Sequence, residues 1–164
     1  MSRQPTGAQV LVVGGGPGGS TAAALLARKG LRVTLVEKSR HPRFHIGESL
    51  LPMNMPIFER LGVLDQVMAI GRLKLGADFP APNERGYGVF HFCDTLNPGT
   101  GFGVHVRREE LDQLLFNHAG ACGAQTHQDT EVLGIEFAAE CATARLRAAD
   151  GSESQLQEIG RTHV

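Results

Sequence analysis

The chain has 164 residues, 41% of them hydrophobic and 20% charged, enough for one domain with a core of its own. Sixteen basic against seventeen acidic residues give a net charge of −1, which argues against nucleic-acid binding by bulk charge. No apolar run approaches the ~18 residues of a membrane span, and the polar residues 1–7 carry no signal-peptide pattern.

In chain order, residues 9–13 (QVLVV) read as a strand that enters GGGPGGS. Residues 20–28, alanine and leucine with polar ends, have strong helix propensity, and Gly30 stops them. Residues 31–36 (LRVTLV) form a second β-branched run, ending at Glu37. Strand, glycine turn, helix and strand make a βαβ unit, which implies parallel pairing and a right-handed crossover. An irregular stretch, SRHPRFHIGESLLP, comes next, then helical patterning over 54–61 and 64–70, punctuated by Gly62 and Gly71. Residues 73–79 and 87–93 read as extended, with a Pro/Asn/Gly-rich turn between them. A short strand at 104–106 leads into a helix from Glu109 to about Ala119. Strands are expected at 124–127, 131–137 and 142–148, then a turn at Asp150-Gly151 and a polar end to Val164.

Gly14, Gly16 and Gly19 satisfy G-x-G-x-x-G between a strand and a helix, and Glu37 stands at the end of the next strand. Gly14 permits the tight turn, Gly16 lets backbone approach a pyrophosphate, and Gly19 lets helix and strand pack closely. Pro17 and Gly18 complete the loop, and the positive helix N-terminus faces the phosphates. Glu37 would accept hydrogen bonds from ribose hydroxyls and repel a 2′-phosphate. That chemistry points to the adenosine of FAD or NAD rather than NADP, with Lys38 beside it. The plain alternative is a glycine-rich turn in an ordinary α/β domain.

Cys93, Cys122 and Cys141 are odd in number and lack C-x-x-C spacing, so they read as reduced thiols of a cytoplasmic protein. His41, His45, His91, His105, His118, His127 and His163 show no ligand spacing. Each reads as a surface or satisfied core histidine, and no metal is expected. The sequence contains neither a G-x-S-x-G elbow nor a P-loop lysine.

VLVVGGGPGGSTAAALLARKGLRVTLVEKS, continuing into RFHIGESLLP, resembles the FAD-dependent monooxygenase and flavin-dependent halogenase superfamily. VRREELDQLLFNHAGACGA is similar to its V-x-R-x-x-(F/L)-D-x-x-L-x-x-x-A pattern, with Arg108, Leu111 and Asp112 in matching positions. RLKLGADF resembles the K-x-G-A-x-F segment of the halogenase branch, through Lys74, Gly76, Ala77 and Phe79. The likeness runs from Gln9 to Gly151.

The resemblance implies an α/β fold: a Rossmann-like FAD-binding domain with a βαβ unit, a parallel sheet and a three-stranded β crossover, C-terminally incomplete. Residues 1–164 would be one partial domain, with 72–106 an insertion belonging to the substrate-side sheet. It implies FAD as cofactor and a flavin C4a-hydroperoxide that halogenates or hydroxylates a small organic substrate. A separate flavin reductase would supply the reduced flavin. Arg43 and Glu48 flank the irregular loop, and Gly47, Glu48 and Ser49 would lie along the flavin. Arg108, at a helix start, would pair with FAD phosphate or ribose oxygens, Arg107 taking the role in a shifted register. Lys74 would lie between flavin and substrate, hydrogen-bonding hypohalous acid or forming a haloamine. Plainer roles exist for each: a surface arginine, a glutamate at a helix N-terminus, a lysine guarding an edge strand.

Enzymes of the superfamily are much longer. Their sheet returns with a strand ending in D-A-S-G, a Gly-Asp motif follows, and the halogenase branch carries W-x-W-x-I-P. Here the chain runs into SESQLQEIGRTHV and contains no tryptophan. The expectation is an N-terminal piece of a larger enzyme, with an exposed sheet edge, a tendency to associate and weak FAD affinity. Halogenase-like chemistry is favoured over aromatic hydroxylation on the Lys74 segment. A geranylgeranyl-reductase-like flavoprotein and a non-catalytic ADP- or FAD-binding module remain open.

Overall fold

The computed structural model describes residues 10–80, 86–94, 100–139 and 141–159. Most of the turn expected before Tyr87 lies outside the described residues, as do Gln9 and the end of the chain past 159. The first elements are β1 (Val10–Val13), α1 (Pro17–Arg28), β2 (Val33–Val36), a 3-10 turn (Pro52–Asn54), α2 (Met55–Leu61) and α3 (Leu64–Ile70). Next come β3 (Gly71–Lys74), β4 (Gly76–Pro80), β5 (Tyr87–His91), a second 3-10 turn (Phe92–Asp94) and β6 (Gly103–Val106). The last are α4 (Arg108–Ala121), β7 (Gln125–His127), β8 (Thr130–Phe137), β9 (Cys141–Ala148) and β10 (Glu153–Ile159). The chain divides into two compact units, Met1–Arg43 with Asp112–Val164, and Phe44–Leu111. Among the described residues no helix is long and apolar enough to cross a membrane.

The first unit is built on a parallel sheet in the order β1-β2-β7. All four residues of β2 are buried, which explains a run of VTLV with no polar alternation. Helix α1 joins β1 to β2 and buries Ser20, Ala23 and Ala24, small residues on one face that let the helix come close. It ends at Arg28 with Gly30 in the left-handed region, φ +83°, as the sequence required. A second, antiparallel sheet in the order β10-β9-β8 packs its Ala144, Leu146, Val132 and Leu156 onto Leu11 and Val36.

Strand β10 corrects the sequence reading, which left 152–164 as a polar end. Glu153 pairs with Arg147, and the register runs on to Ile159 opposite Cys141. The strand borders the sheet and, through 157, carries exposed polar side chains apart from the half-buried Leu156.

In the second unit α2 and α3 bury Met55, Phe58, Leu61 and Val67, with Val63 between them. Strand β6 pairs antiparallel with β3, Lys74 lying opposite Gly103. It also takes up the segment at 48–50: Val106 N–H donates to Glu48 C=O at 2.9 Å, and Leu50 N–H to Val104 C=O at 2.8 Å. The extended run expected over 73–79 is divided at Leu75 into β3 and β4, because β4 pairs with β5 while β3 pairs with β6.

Candidate functional site

The glycine loop is shaped by close backbone approach. Gly14 N–H donates to Val36 C=O at 2.8 Å, and Gly14 turns the chain at φ +100°. A Cβ on Gly19 would lie 2.0 Å from Gly14 O, so the start of α1 rests directly on the turn. Gly16 is the N-cap of α1 and Pro17 its first residue, and no side chain caps this end. The first-turn N–H groups therefore face outward with the helix dipole behind them. A Cβ on Gly16 would have only Arg43 Nη2 nearby, at 3.8 Å, and one on Gly18 would meet nothing within 4 Å.

Glu37 is 5% exposed and holds the loop closed. Its Oε2 accepts the Gly15 N–H at 2.7 Å and its Oε1 the Ser39 N–H at 3.0 Å. Arg43 Nη2 stands 3.4 Å from the same Oε2. Burial alone would raise this carboxyl, but the N–H groups of Ser39 and Gly15, and then Arg43, hold it below the usual glutamate range. Gly15 was not singled out in the sequence, though it is the middle of three consecutive glycines. A Cβ there would fall 2.6 Å from Phe116 Cδ2 and 2.9 Å from Glu37 Cβ.

Behind the loop, Arg43 Nη1 lies 3.7 Å from Asp112 Oδ2, and its Nε and Nη1 are buried without a hydrogen bond. His41 is 6% exposed, and its ring packs against Phe116 at 5.0 Å with a 45° tilt between the planes. Buried as it is, it is not a surface histidine. A cleft of about 370 Å³ opens beside this group, lined by Val13, Gly14, Val36, Glu37, Lys38, Arg43 and residues 130–132.

The second unit gathers the other expected residues. Gly47 sits at φ +104°, where a Cβ would come within 2.9 Å of Arg108 Nη1. That nitrogen donates to Ile46 C=O at 2.8 Å, so Arg108, at the start of α4, fastens the Gly-Glu-Ser segment. Glu48 Oε2 accepts the Gly47 N–H at 3.1 Å. Its carboxyl is held below the usual range by its own and Gly47's backbone N–H, with His105 and Arg108 adding to this. Glu48 does not open a helix; it leads into the Ser49–His105 bridge. Lys74 Nζ donates to Ser49 Oγ and stands 5.4 Å above the Phe92 ring. Arg107 is exposed and pairs with Glu109 and with Glu110, the latter at 3.1 Å.

An adenine dinucleotide fits the first unit on its own geometry. The uncapped helix start faces a bare glycine backbone, a carboxylate stands at the end of β2, and a buried guanidinium has donors to spare. The model of the family described as "FAD binding domain" matches residues 7–158. The chain belongs to that family, within the FAD-dependent monooxygenase/halogenase superfamily, and its cofactor is FAD.

The flavin-dependent halogenase rdc2 of Metacordyceps chlamydosporia is 42% identical over 134 residues, 81% of this chain and 24% of that protein. A tryptophan 2-halogenase of Chondromyces crocatus is 41% identical over 157 residues, 95% of this chain and 28% of that protein. The solved structure of the myxobacterial chondrochloren halogenase CndH superposes with a TM-score of 0.86 at 34% identity, over 94% of this chain and 36% of that one. The chain thus spans about a quarter to a third of the length of these relatives.

Proposed function

We propose that the chain carries the FAD-binding part of a flavin-dependent oxidoreductase of the halogenase type. The observation that carries the reading is the hydrogen bond from Lys74 Nζ to Ser49 Oγ. It joins the lysine of the K-x-G-A-x-F segment to the Gly-Glu-Ser segment expected along the flavin. Relatives named as halogenases support the same reading.

In the first unit, the backbone of Gly14, Gly16, Pro17, Gly18 and Gly19 binds the pyrophosphate, with Arg43 beside it. Glu37 accepts from the ribose hydroxyls through lone pairs left after Gly15 and Ser39 have donated, and Lys38 borders the same cleft. In the second unit, Gly47, Glu48 and Ser49 form the flavin-side segment, and Arg108 fixes its course. Residues 72–106 would be an insertion belonging to the substrate-side sheet. Bound FAD, once reduced, supplies the oxidising equivalent drawn from oxygen that turns halide into hypohalous acid. Lys74, which gives one N–H to Ser49, would hold hypohalous acid through another for an electron-rich organic acceptor, or would itself take the halogen on Nζ with loss of water.

The test supplies the intact protein with FAD, a flavin reductase, oxygen, bromide or chloride, and an electron-rich aromatic acceptor. The expected result is a halide-dependent product that Lys74→Ala abolishes. Halide-independent hydroxylation overturns the halogenase reading. ADP binding with no flavin turnover favours a nucleotide-binding module.

A further inference from the structure

We propose that Asp112 is a positioning residue for Arg43, holding its guanidinium against the glycine loop and so setting the affinity of the nucleotide site for a diphosphate. The inference rests on the reading of that loop as the FAD site.

Asp112 is 0% exposed and lies within α4, not at its ends. Aspartate is a poor residue for a helix interior, and a buried carboxylate is costly unless a cation compensates it. Arg43 is that cation, and it stands between two carboxylates. Nη2 is 3.4 Å from Glu37 Oε2, and Nη1 is 3.7 Å from Asp112 Oδ2. A guanidinium is a rigid planar fork, so drawing one terminal nitrogen toward each carboxylate fixes both its plane and its roll. Held in that plane, its Nη2 lies 3.8 Å from where a Cβ on Gly16 would stand.

Nε and Nη1 are buried without a hydrogen bond, which is unfavourable for a charged group and leaves its plane to be held by the ion pairs to Glu37 and Asp112. One turn along the same helix, Phe116 packs against Gly15 and His41. Helix α4 therefore supplies both the strut behind Arg43 and the wall behind the loop.

Glu37, His41 and Asp112 are the titratable groups facing Arg43. Asp112 itself carries negative charge, which by Coulomb's law alone opposes a diphosphate. Charge and positioning thus predict opposite signs for its neutralisation.

Calorimetric titration of the whole chain with ADP and with adenosine decides between them, using Asp112→Asn, Arg43→Met and the double variant. The expected result is ADP binding about tenfold weaker in Asp112→Asn, or ~1.4 kcal/mol, with adenosine binding unchanged. In the Arg43→Met background the same substitution should have no further effect on ADP. Asp112→Glu keeps the charge but displaces the carboxylate, and should also weaken ADP; it serves where the asparagine variant does not fold. Unchanged or tighter ADP binding in both Asp112 variants, equal losses for ADP and adenosine, or additive losses in the double variant would overturn the proposal. A wild-type chain that binds no ADP refutes the reading of the site itself, and the inference with it.

Discussion

Gly19→Ala tests whether the glycine loop is specified by packing as well as by ligand. The added methyl would lie 2.0 Å from Gly14 O, 3.2 Å from Gly14 C and 3.3 Å from Val12 Cγ1, whereas real Cβ contacts stay above 3.0 Å. Turn and helix must therefore part by at least the missing 1.0 Å, the difference between 3.0 and 2.0. No side-chain rotation can relieve the clash, because the obstacle is a backbone carbonyl in a turn tied to β2 by Gly14 N–H. Displacing α1 strains the 3.1 Å bond from Ser20 Oγ to Gly15 C=O and loosens the buried Ala23 and Ala24. Overpacking of this kind costs about 3 kcal/mol at the upper end, and the helix propensity of alanine returns about 1, leaving a loss of ~2 kcal/mol. For a chain of this size that is a fall in Tm of roughly 4–8 °C. Gly18→Ala is the control: it meets nothing within 4 Å, so propensity alone acts on stability. Its Tm should rise by up to about 4 °C. Circular-dichroism melts of the three proteins give the answer. A Gly19→Ala protein that melts with the wild type, or with Gly18→Ala, refutes the packing argument.

Glu37 is held below its usual range, so its stabilising contribution is complete above the unfolded value of about 4.3 and is lost as pH falls through the folded value. Melts against pH should show the wild type losing Tm more steeply than Glu37→Gln below that point, with the variant less stable at neutral pH. His41 is also pushed down, by burial first and then by Arg43, and so is neutral in the fold. The unfolded ring takes up a proton near 6.5, so stability declines as pH drops below that value, and denaturant titrations of His41→Phe should lack the decline. Ser49→Ala removes the acceptor of the Lys74 hydrogen bond, worth about 1–1.5 kcal/mol. Halide-dependent product formation should fall roughly tenfold, and Ser49→Thr, which keeps the hydroxyl, should restore most of it.

The elements most legible in the sequence are those whose signal is local. Strand β2 is buried throughout and shows it as a β-branched run interrupted by no charged residue. Gly62 and Gly71 punctuate the helical patterning, and the structure ends α2 at Gly62 and α3 at Gly71. Strand β10 is not legible because a border strand is held largely by backbone pairing, and its polar run through 157 offers only Leu156 to the core. The division of 73–79 was equally hidden. Both halves have the same strand propensity, and only their distant partners, β6 and β5, differ.

The site divides along the same line. The glycines and Glu37 form a pattern within one βαβ unit, so spacing alone marks them as candidates. The burial of His41 against Phe116 and the meeting of Arg43 with Asp112 depend on α4, which returns to the loop from far along the chain. Glu37 is where the two kinds of information meet. An acidic residue at that position is expected for ribose, yet both its oxygens already accept backbone N–H groups from Gly15 and Ser39. The residue that would read the ribose therefore also closes the loop that would receive the pyrophosphate. A loop closed by its own carboxylate has little ordering left to do when the nucleotide arrives, so more of the contact energy is available as affinity. The cost is that the two roles cannot be separated by substitution: any change at Glu37 that weakens ribose contact also releases Gly15.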